Sequence, residues 1–568
     1  MLEHKPGFFE WQKYPFQLPP ELSGAEPRRF QVAVVGAGPV GLATALALAQ
    51  QGIRTVCLEA RDQLSDSSRT LAVSRRSVQV LDRLGVAAPF CERAVPRERN
   101  YVYQGHQLIH SAPYEQSPTE KHPDISVLQQ PWVEKFLLDA VLAHPNVELR
   151  WLSAVTGVDV NDPERPRLTV ETAQGRYTLD VDYVVAADGA RGAVRRELGL
   201  PYREIGDGVS SRNFVICDFE MKSALPVSRR LWIRPPHRPN SAVILQRQPY
   251  DTWRLDYALD DDEDRDQALK PESVARVVQA QVDLLGDATA VSDWRIVWIS
   301  SYRPMSRSLD SYRHGRIFFA GDAAHQTPIF GGRGMNQGLL DASNLAWRLG
   351  FVLNGHAPQA LLDVYDHERR PVIVRNLHAI GQATLCMTAP SRGAALMRKA
   401  VFDLLPGERF VIALIDAFNA NKAESLLTPP PAQDPAIGAA VGSPLPDAPL
   451  LLAGTSEHRF LHDALLRNGL TGIYFCIDGE VPEVLQAAFA ELAAGAAPFR
   501  PIVVARRPGG HAWACDPTGA GFAKLAAEAG TWLLVRPDGY VGARLEHPHR
   551  DAVLRAFNGL LHFDAATV

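Results

Sequence analysis

Three glycines spaced as Gly36-x-Gly38-x-x-Gly41, with Glu59 eighteen positions after the last, carry the plainest chemistry in this 568-residue chain. Glycines so placed let a pyrophosphate reach backbone N–H groups at the start of a helix, an approach that side chains would block. A carboxylate about 20 residues further on can accept from the hydroxyls of an adenosine ribose. Glu59 rather than a basic residue suits a free 2′-hydroxyl, hence FAD or NAD. A tight glycine turn would explain the glycines alone, but it does not require Glu59.

A second cluster is FFAGDAAHQTPIFGGRGMNQG, residues 318–338. Asp322 follows a short apolar strand, where its carboxylate can accept hydrogen bonds from a polyol such as a ribityl chain, or can simply cap a helix. Gly331, Gly332 and Gly334 lead into a helix beginning near Met335. A helix start at Gly334, Met335 and Asn336 would favour negative charge, such as reduced flavin carries near N1 and the C2 carbonyl. Asp188 and Gly189, in AADGARGAVR, form either a third polar contact or an ordinary Asp-Gly turn.

The elements that must position these residues follow from the pattern of apolar positions. QVAVV is a short β-branched strand, LATALALAQQ a helix stopped by Gly52, and TVCLEA a second strand, together a β-α-β unit. Helices are predicted over residues 73–84 and 132–143, with an extended segment over 147–158. Between residues 214 and 302 the text alternates, with many Trp, Tyr and Arg, which predicts a half-exposed sheet facing a ligand. On it Gln246 and Gln248 share one face, while Trp253, Leu255 and Tyr257 share a face of a neighbouring strand. Gln246 and Tyr257 are the candidate polar groups of a substrate pocket. His237 is expected in an exposed loop, and Trp232, Trp253 and Trp298 in the core. Further helices run to about residue 421.

The expected fold class is α/β, a Rossmann-like dinucleotide domain interleaved with a mixed-sheet substrate domain, plus a C-terminal α/β domain. The expected divisions are an arm at 1–29 that packs its aromatics on the body, a dinucleotide domain at 30–200 and 303–425 with a helical extension, and a sheet domain at 201–302. A Pro/Gly/Ala-rich linker at 426–450 and a final domain at 451–568 complete the chain.

Lys plus Arg number 59 against 64 Asp plus Glu, a balance of −5 that offers no general attraction to nucleic acid or anionic membranes. The partner expected is a small molecule. Six scattered cysteines form no CxxC pair and no metal-spaced cluster, so no metal is expected and the thiols are read as reduced. No signal peptide opens the chain, and the longest apolar run, residues 40–49, is about half a membrane span. A cytoplasmic protein is expected.

The segments GAGPVG with Glu59, AADGARGAVR, and AGDAAHQTPIFGGRGMNQG resemble the three fingerprints of class A flavoprotein aromatic hydroxylases, the nearest type being the hydroxyphenylpropionate and resorcinol hydroxylases. Such enzymes take electrons from NADH or NADPH into FAD, form a flavin C4a-hydroperoxide with O2, and hydroxylate an activated ring. The resemblance implies that Gly36, Gly38, Gly41 and Glu59 hold the ADP half of the cofactor, and that Pro39, Val40, Ala60, Arg61 and Val155 also contact it. It implies further that Arg69, Arg76 and Gln130 lie near its phosphates, that Asp188 and Asp322 bind it, and that Pro328, Gly334, Met335 and Asn336 lie by the isoalloxazine. Gly192 stands where the family pattern has Ser, and Arg333 and Gln337 also depart from it. The tail is similar to the thioredoxin-like domain of phenol hydroxylases but lacks CxxC, so a structural or subunit-contact role, as in a homodimer, is expected. The alternatives are an FAD monooxygenase acting on a polyketide or quinone or by oxidative decarboxylation, and a flavin-binding regulatory protein without turnover.

Overall fold

The computed structural model describes residues 8–561 except 27, 67–68, 115, 207–211, 287–292, 329–331, 390, 406, 416–424 and 427–437. Gly331 and most of the expected linker therefore lie outside the described residues.

Val32–Val35 is buried at every position, as a run of consecutive β-branched residues requires when both faces of a strand are covered. It sits inside a six-stranded sheet in the order Arg313–His314, Ile317–Phe319, Tyr183–Ala186, Val32–Val35, Thr55–Leu58, Val147–Arg150. All pairings are parallel except at the Arg313–His314 edge. Helix Pro39–Ala49 packs on helices Gly334–Leu353 and Gln130–Leu142. Val40 is the key of that packing: a Cβ at Gly338 would lie 2.4 Å, and one at Gly321 2.9 Å, from its Cγ2. The helix predicted over 73–84 begins later, at Arg75, after a short strand Ala72–Ser74. Ser74 ends the strand because its Oγ accepts from Ser77 N and caps the helix.

The second sheet has seven strands, in the order Trp294–Tyr302, Phe214–Met221, Thr252–Ala258, Ala242–Arg247, Ser228–Ile233, Arg99–Gln104, Gln107–Pro113. It is not confined to 201–302, because the hairpin over residues 99–113 adds to its edge through a parallel pairing with Ser228–Ile233. Its edge strands, such as Trp294–Tyr302, are partly exposed, whereas the central strands Ser228–Ile233 and Thr252–Ala258 are buried throughout. The alternation is real, but one face packs on helix Pro271–Asp283 and the other turns to an internal cavity instead of bulk solvent.

The arm docks on the first domain, with Phe9 edge-on to Trp11 and Trp132 and Tyr14 stacked on Trp151 at 4.7 Å. The C-terminal part forms a seven-stranded mixed sheet running from His458–Phe460 to Val541–Glu546, with helices Glu483–Ala494 and Arg550–Leu561 packed on one another. What was expected as linker after residue 437 belongs to its core, since Ala439, Leu445 and Ala448 are buried. Its turn at Asp538 plugs into the first domain, accepting from Asn344 Nδ2 at 3.1 Å and Trp347 Nε1 at 3.3 Å, while Arg536 pairs with Glu368. No described helix is long and apolar enough to cross a membrane.

Candidate active site

A cavity of about 1110 Å3 runs from the first glycine turn to the inner face of the second sheet. At the turn, Gly36 has φ +101°, and a Cβ there would meet Ala187 O at 2.5 Å. One on Gly41 would meet Gly36 O at 1.8 Å, whereas Gly38 faces open space. Two glycines thus close the turn and the third keeps its mouth clear. Helices Pro39–Ala49 and Gly334–Leu353 both begin at this cavity without a side-chain cap, which leaves their first N–H groups available to an anionic ligand. Glu59 holds the turn: its Oε2 accepts from Ala37 N at 2.8 Å and its Oε1 from Arg61 N at 3.0 Å.

Two further carboxylates line this end. Burial raises Asp188 to about 6; its Oδ2 accepts from Val194 N at 3.0 Å, and its Oδ1 is buried without a partner. Gly192 stands where the family pattern has Ser, and a Cβ there would lie 2.1 Å from that Oδ1, so the shorter residue leaves the carboxylate its place. Asp322 opens into the cavity yet is surrounded by protein, which raises its carboxyl as well. Gln130 accepts from Thr70 N at 3.1 Å and donates to Glu134 at 2.7 Å, which sets the loop carrying Arg69 along the cavity wall. The open glycine, the uncapped helices and the orphaned Asp188 oxygen together fit a pyrophosphate-linked cofactor of FAD size. Gly38, Glu59, Arg69, Asp188, Asp322 and Gly334 could hold it.

The far end is a polar floor built by strand register. Arg229 is paired with Gln246, Gln246 with Arg254 and Arg254 with Asp218, one row across four strands and on one face. The next row on that face is Ile244, Asp256 and Ile216. Arg254 and Asp218 form a buried two-bonded ion pair, both bonds 2.8 Å. Asp256 is 4% exposed, and burial, with Asp218 beside it, outweighs Arg254 and pushes its carboxyl up to about 7. Tyr302 lines the same space, and burial holds its hydroxyl well above the ordinary range. A carboxyl group titrating near neutrality beside apolar Ile216 and Ile244 can accept a proton from a bound ring hydroxyl.

A family model described as an FAD binding domain matches residues 29–379. A 6-methylpretetramide 4-monooxygenase from Streptomyces rimosus is 31% identical over 93% of this chain and 92% of its own. The chain belongs to the FAD-dependent aromatic hydroxylases. A protein from Rhodococcus jostii described as a probable NADH-specific resorcinol 4-hydroxylase is 31% identical over 63% of the chain and 64% of its own. The solved structure of an anhydrotetracycline hydroxylase from Streptomyces rimosus superposes with a TM-score of 0.67 at 26% identity, covering 95% of this chain and 100% of that one.

Of the residues singled out in the hydroxylase sequence, Gly36, Gly38, Pro39, Val40, Glu59, Ala60, Arg61, Arg69, Gln130, Val155, Asp188, Asp322, Pro328, Gly334 and Met335 line the cavity, and Gln246 lies on its floor. Gly41 acts one layer behind, by its close approach to Gly36. Asn336 is also behind the wall, where it bonds Ser74 N at 2.9 Å, Ser77 Oγ at 2.7 Å and Ala72 O at 2.9 Å. Three expectations fail. Arg76 points away, donating to Asp538 O at 3.3 Å and lying over the Tyr540 ring, because the C-terminal turn supplies its acceptors. Tyr257 lies on the opposite face of the sheet, in the core under helix Pro271–Asp283. His237 is half-buried rather than exposed. The residues missed are Asp256, Arg254, Arg97 and Tyr302. Asp256 and Arg254 share the alternation of Gln246 on the paired strand, a signal that only the register turns into an address.

Proposed function

We propose that this hydroxylase places a hydroxyl on a phenolic ring, using FAD, NADH or NADPH, and O2. The observation that carries the reading is the single cavity joining the dinucleotide turn to the Asp256 floor. Bound FAD, with the nicotinamide as reductant and O2 as oxidant, would supply the electrophilic oxygen. The protein residues do the rest. Residues 36–41 with Glu59 would hold the ADP half, Arg69 and Gln130 would border the phosphates, and Asp188 and Asp322 would bind the chain between the two ring systems. Pro328 and Met335 flank the flavin ring. Ile216 and Ile244 wall the substrate, Asp256 takes the proton of its hydroxyl, and Gln246 orients the neighbouring guanidinium.

A fused-ring polyketide phenol is the second reading. It is favoured by the full-length match to the pretetramide monooxygenase, where the resorcinol enzyme matches less than two thirds of the chain. Purified protein is expected to be yellow, and to consume NADH or NADPH with O2 uptake faster when a phenol of either kind is added. Released carbon dioxide would point to decarboxylating hydroxylation, and retained FAD without any stimulated turnover to a binding protein. Asp322→Ala is expected to lower FAD retention on gel filtration about ten-fold or more, since a carboxylate accepting from hydroxyls is removed from the cavity. Unchanged flavin content in a folded variant removes Asp322 from the cofactor site.

A further inference from the structure

Arg97 sits at the floor of the cavity, 2% exposed. Its backbone N–H is fixed on Ile125 O at 2.9 Å, and its Nη2 donates to Gln246 Oε1 at 2.8 Å. Its Nε is buried without a partner, and among the described residues it forms no ion pair. A buried guanidinium with no counter-charge is costly, and such charges in proteins are normally paired. Neighbouring charge does not supply the partner. Asp218 is taken up by both arms of Arg254. Glu59, Asp66, Asp188 and Asp322 line the nucleotide end. That leaves Asp256, which shares the floor with Arg229 and Arg254 and whose carboxyl burial pushes up to about 7.

We infer that the substrate brings the missing charge: the ring hydroxylated here carries, or is fused to, a planar two-oxygen anion that docks on Arg97. Gln246 takes one of the two Nη2 hydrogens and the Nε–H has no acceptor, while the Nε–Nη2 edge of a guanidinium matches two oxygens set about as far apart as those of a carboxylate. A carboxylate and an ionised β-dicarbonyl both have that shape. Gln246 thereby serves as a positioning residue, holding the plane of the guanidinium. The inference rests on the hydroxylase reading and adds to it a charge requirement that neutral phenols such as resorcinol do not meet.

The test follows the flavin absorbance of the holoenzyme during titration with 3-(3-hydroxyphenyl)propionate, with its uncharged amide, with resorcinol, and with anhydrotetracycline as the enolate probe. Wild type is expected to bind the carboxylate or the enolate probe at least about ten-fold more tightly than the amide and resorcinol, the size expected of a charge-assisted bidentate contact. In Arg97→Met that preference is expected to vanish, while Arg97→Lys keeps part of it. Preference for the propionate over the enolate probe identifies the carboxylate as the group, and the reverse identifies the dicarbonyl. Equal binding of charged and neutral phenols by wild type, or a preference that survives in a yellow Arg97→Met, overturns the inference while leaving the hydroxylase reading intact. Loss of FAD in both Arg97 variants, with the wild-type enzyme indifferent to ligand charge, assigns Arg97 to the cofactor and overturns it too. Failure of every phenol, charged or neutral, to stimulate NADH or NADPH oxidation sinks the hydroxylase reading itself, and the inference with it.

Discussion

Asp256→Asn is expected to lower kcat for hydroxylation about 100-fold or more, within the range for loss of a positioned general base, while the variant stays yellow. The amide keeps the shape and remains next to Gln246 and Arg254, but it cannot take a proton from the ring hydroxyl. The pH dependence separates this role from a packing role. Burial raises the Asp256 carboxyl to about 7, Arg254 opposes the shift, and Asp218 adds to it. The base form therefore grows as pH rises, so kcat/KM of the wild type should climb through about pH 7 and then level. In the variant that limb should disappear, leaving only the titration of the substrate's own hydroxyl. Product formation measured by chromatography across pH 5–9, with flavin content as the control, decides it. A variant within about two-fold of wild type that keeps the limb near pH 7 would remove Asp256 from the chemistry.

Asp341→Ala should cost about 3–5 kcal/mol of folding stability, the range for leaving a buried charge without its partner. Asp341 is fully buried on helix Gly334–Leu353. Its Oδ2 accepts from His325 Nε2 at 2.6 Å and from Gly321 N at 3.1 Å, and its Oδ1 from Arg369 Nε at 2.8 Å. The carboxylate ties the turn that carries Asp322 to two helices at once. Removing it takes from buried His325 and from the Arg369 guanidinium the carboxylate that both pair with. Burial alone would raise the Asp341 carboxyl, but His325 and Arg369 outweigh it and hold it at about 2. A carboxyl held low in the fold contributes stability that is complete above the ordinary carboxyl range and is lost as pH falls from about 4 toward 2. Wild type should therefore lose stability over that window, and the alanine variant should lack this component. Denaturant midpoints from tryptophan fluorescence at neutral and acid pH measure both effects. FAD retention should fall as well, because the Gly321 N–H loses its anchor. A variant with a wild-type midpoint would mean that the cluster contributes nothing to the fold.

The glycines at 36, 38 and 41, Glu59, Asp188 and Asp322 were legible because their work is local. Each follows closely on a short buried strand, where its neighbours in sequence already dictate a turn and a helix start, so the end of the cavity proposed to hold the cofactor could be named before any fold was known. The floor could not. Gln246, Arg254 and Asp256 alternate with Trp253, Leu255 and Tyr257, and period two separates the faces without saying which one looks inward. Helix Pro271–Asp283 covers the face holding Tyr257, and that choice alone puts Asp256 rather than Tyr257 in the cavity. The ligand-facing side of the sheet was anticipated but not the burial of its central strands, since polar residues facing a cavity and polar residues facing water leave the same pattern.

Long-range contacts decided the remainder. Arg97 belongs to no motif and becomes part of the floor only because the hairpin over residues 99–113 joins a strand more than a hundred residues later. Arg76 resembles a phosphate-binding arginine until the Asp538 turn arrives from the far end of the chain and takes its donors. Local spacing was enough to determine a dinucleotide turn and the α/β class, because backbone geometry and helix dipoles act over a few residues. Which charges face the substrate was left to tertiary structure, because a side chain's electrostatic role depends on what lies across the cavity, and sequence distance carries no information about that.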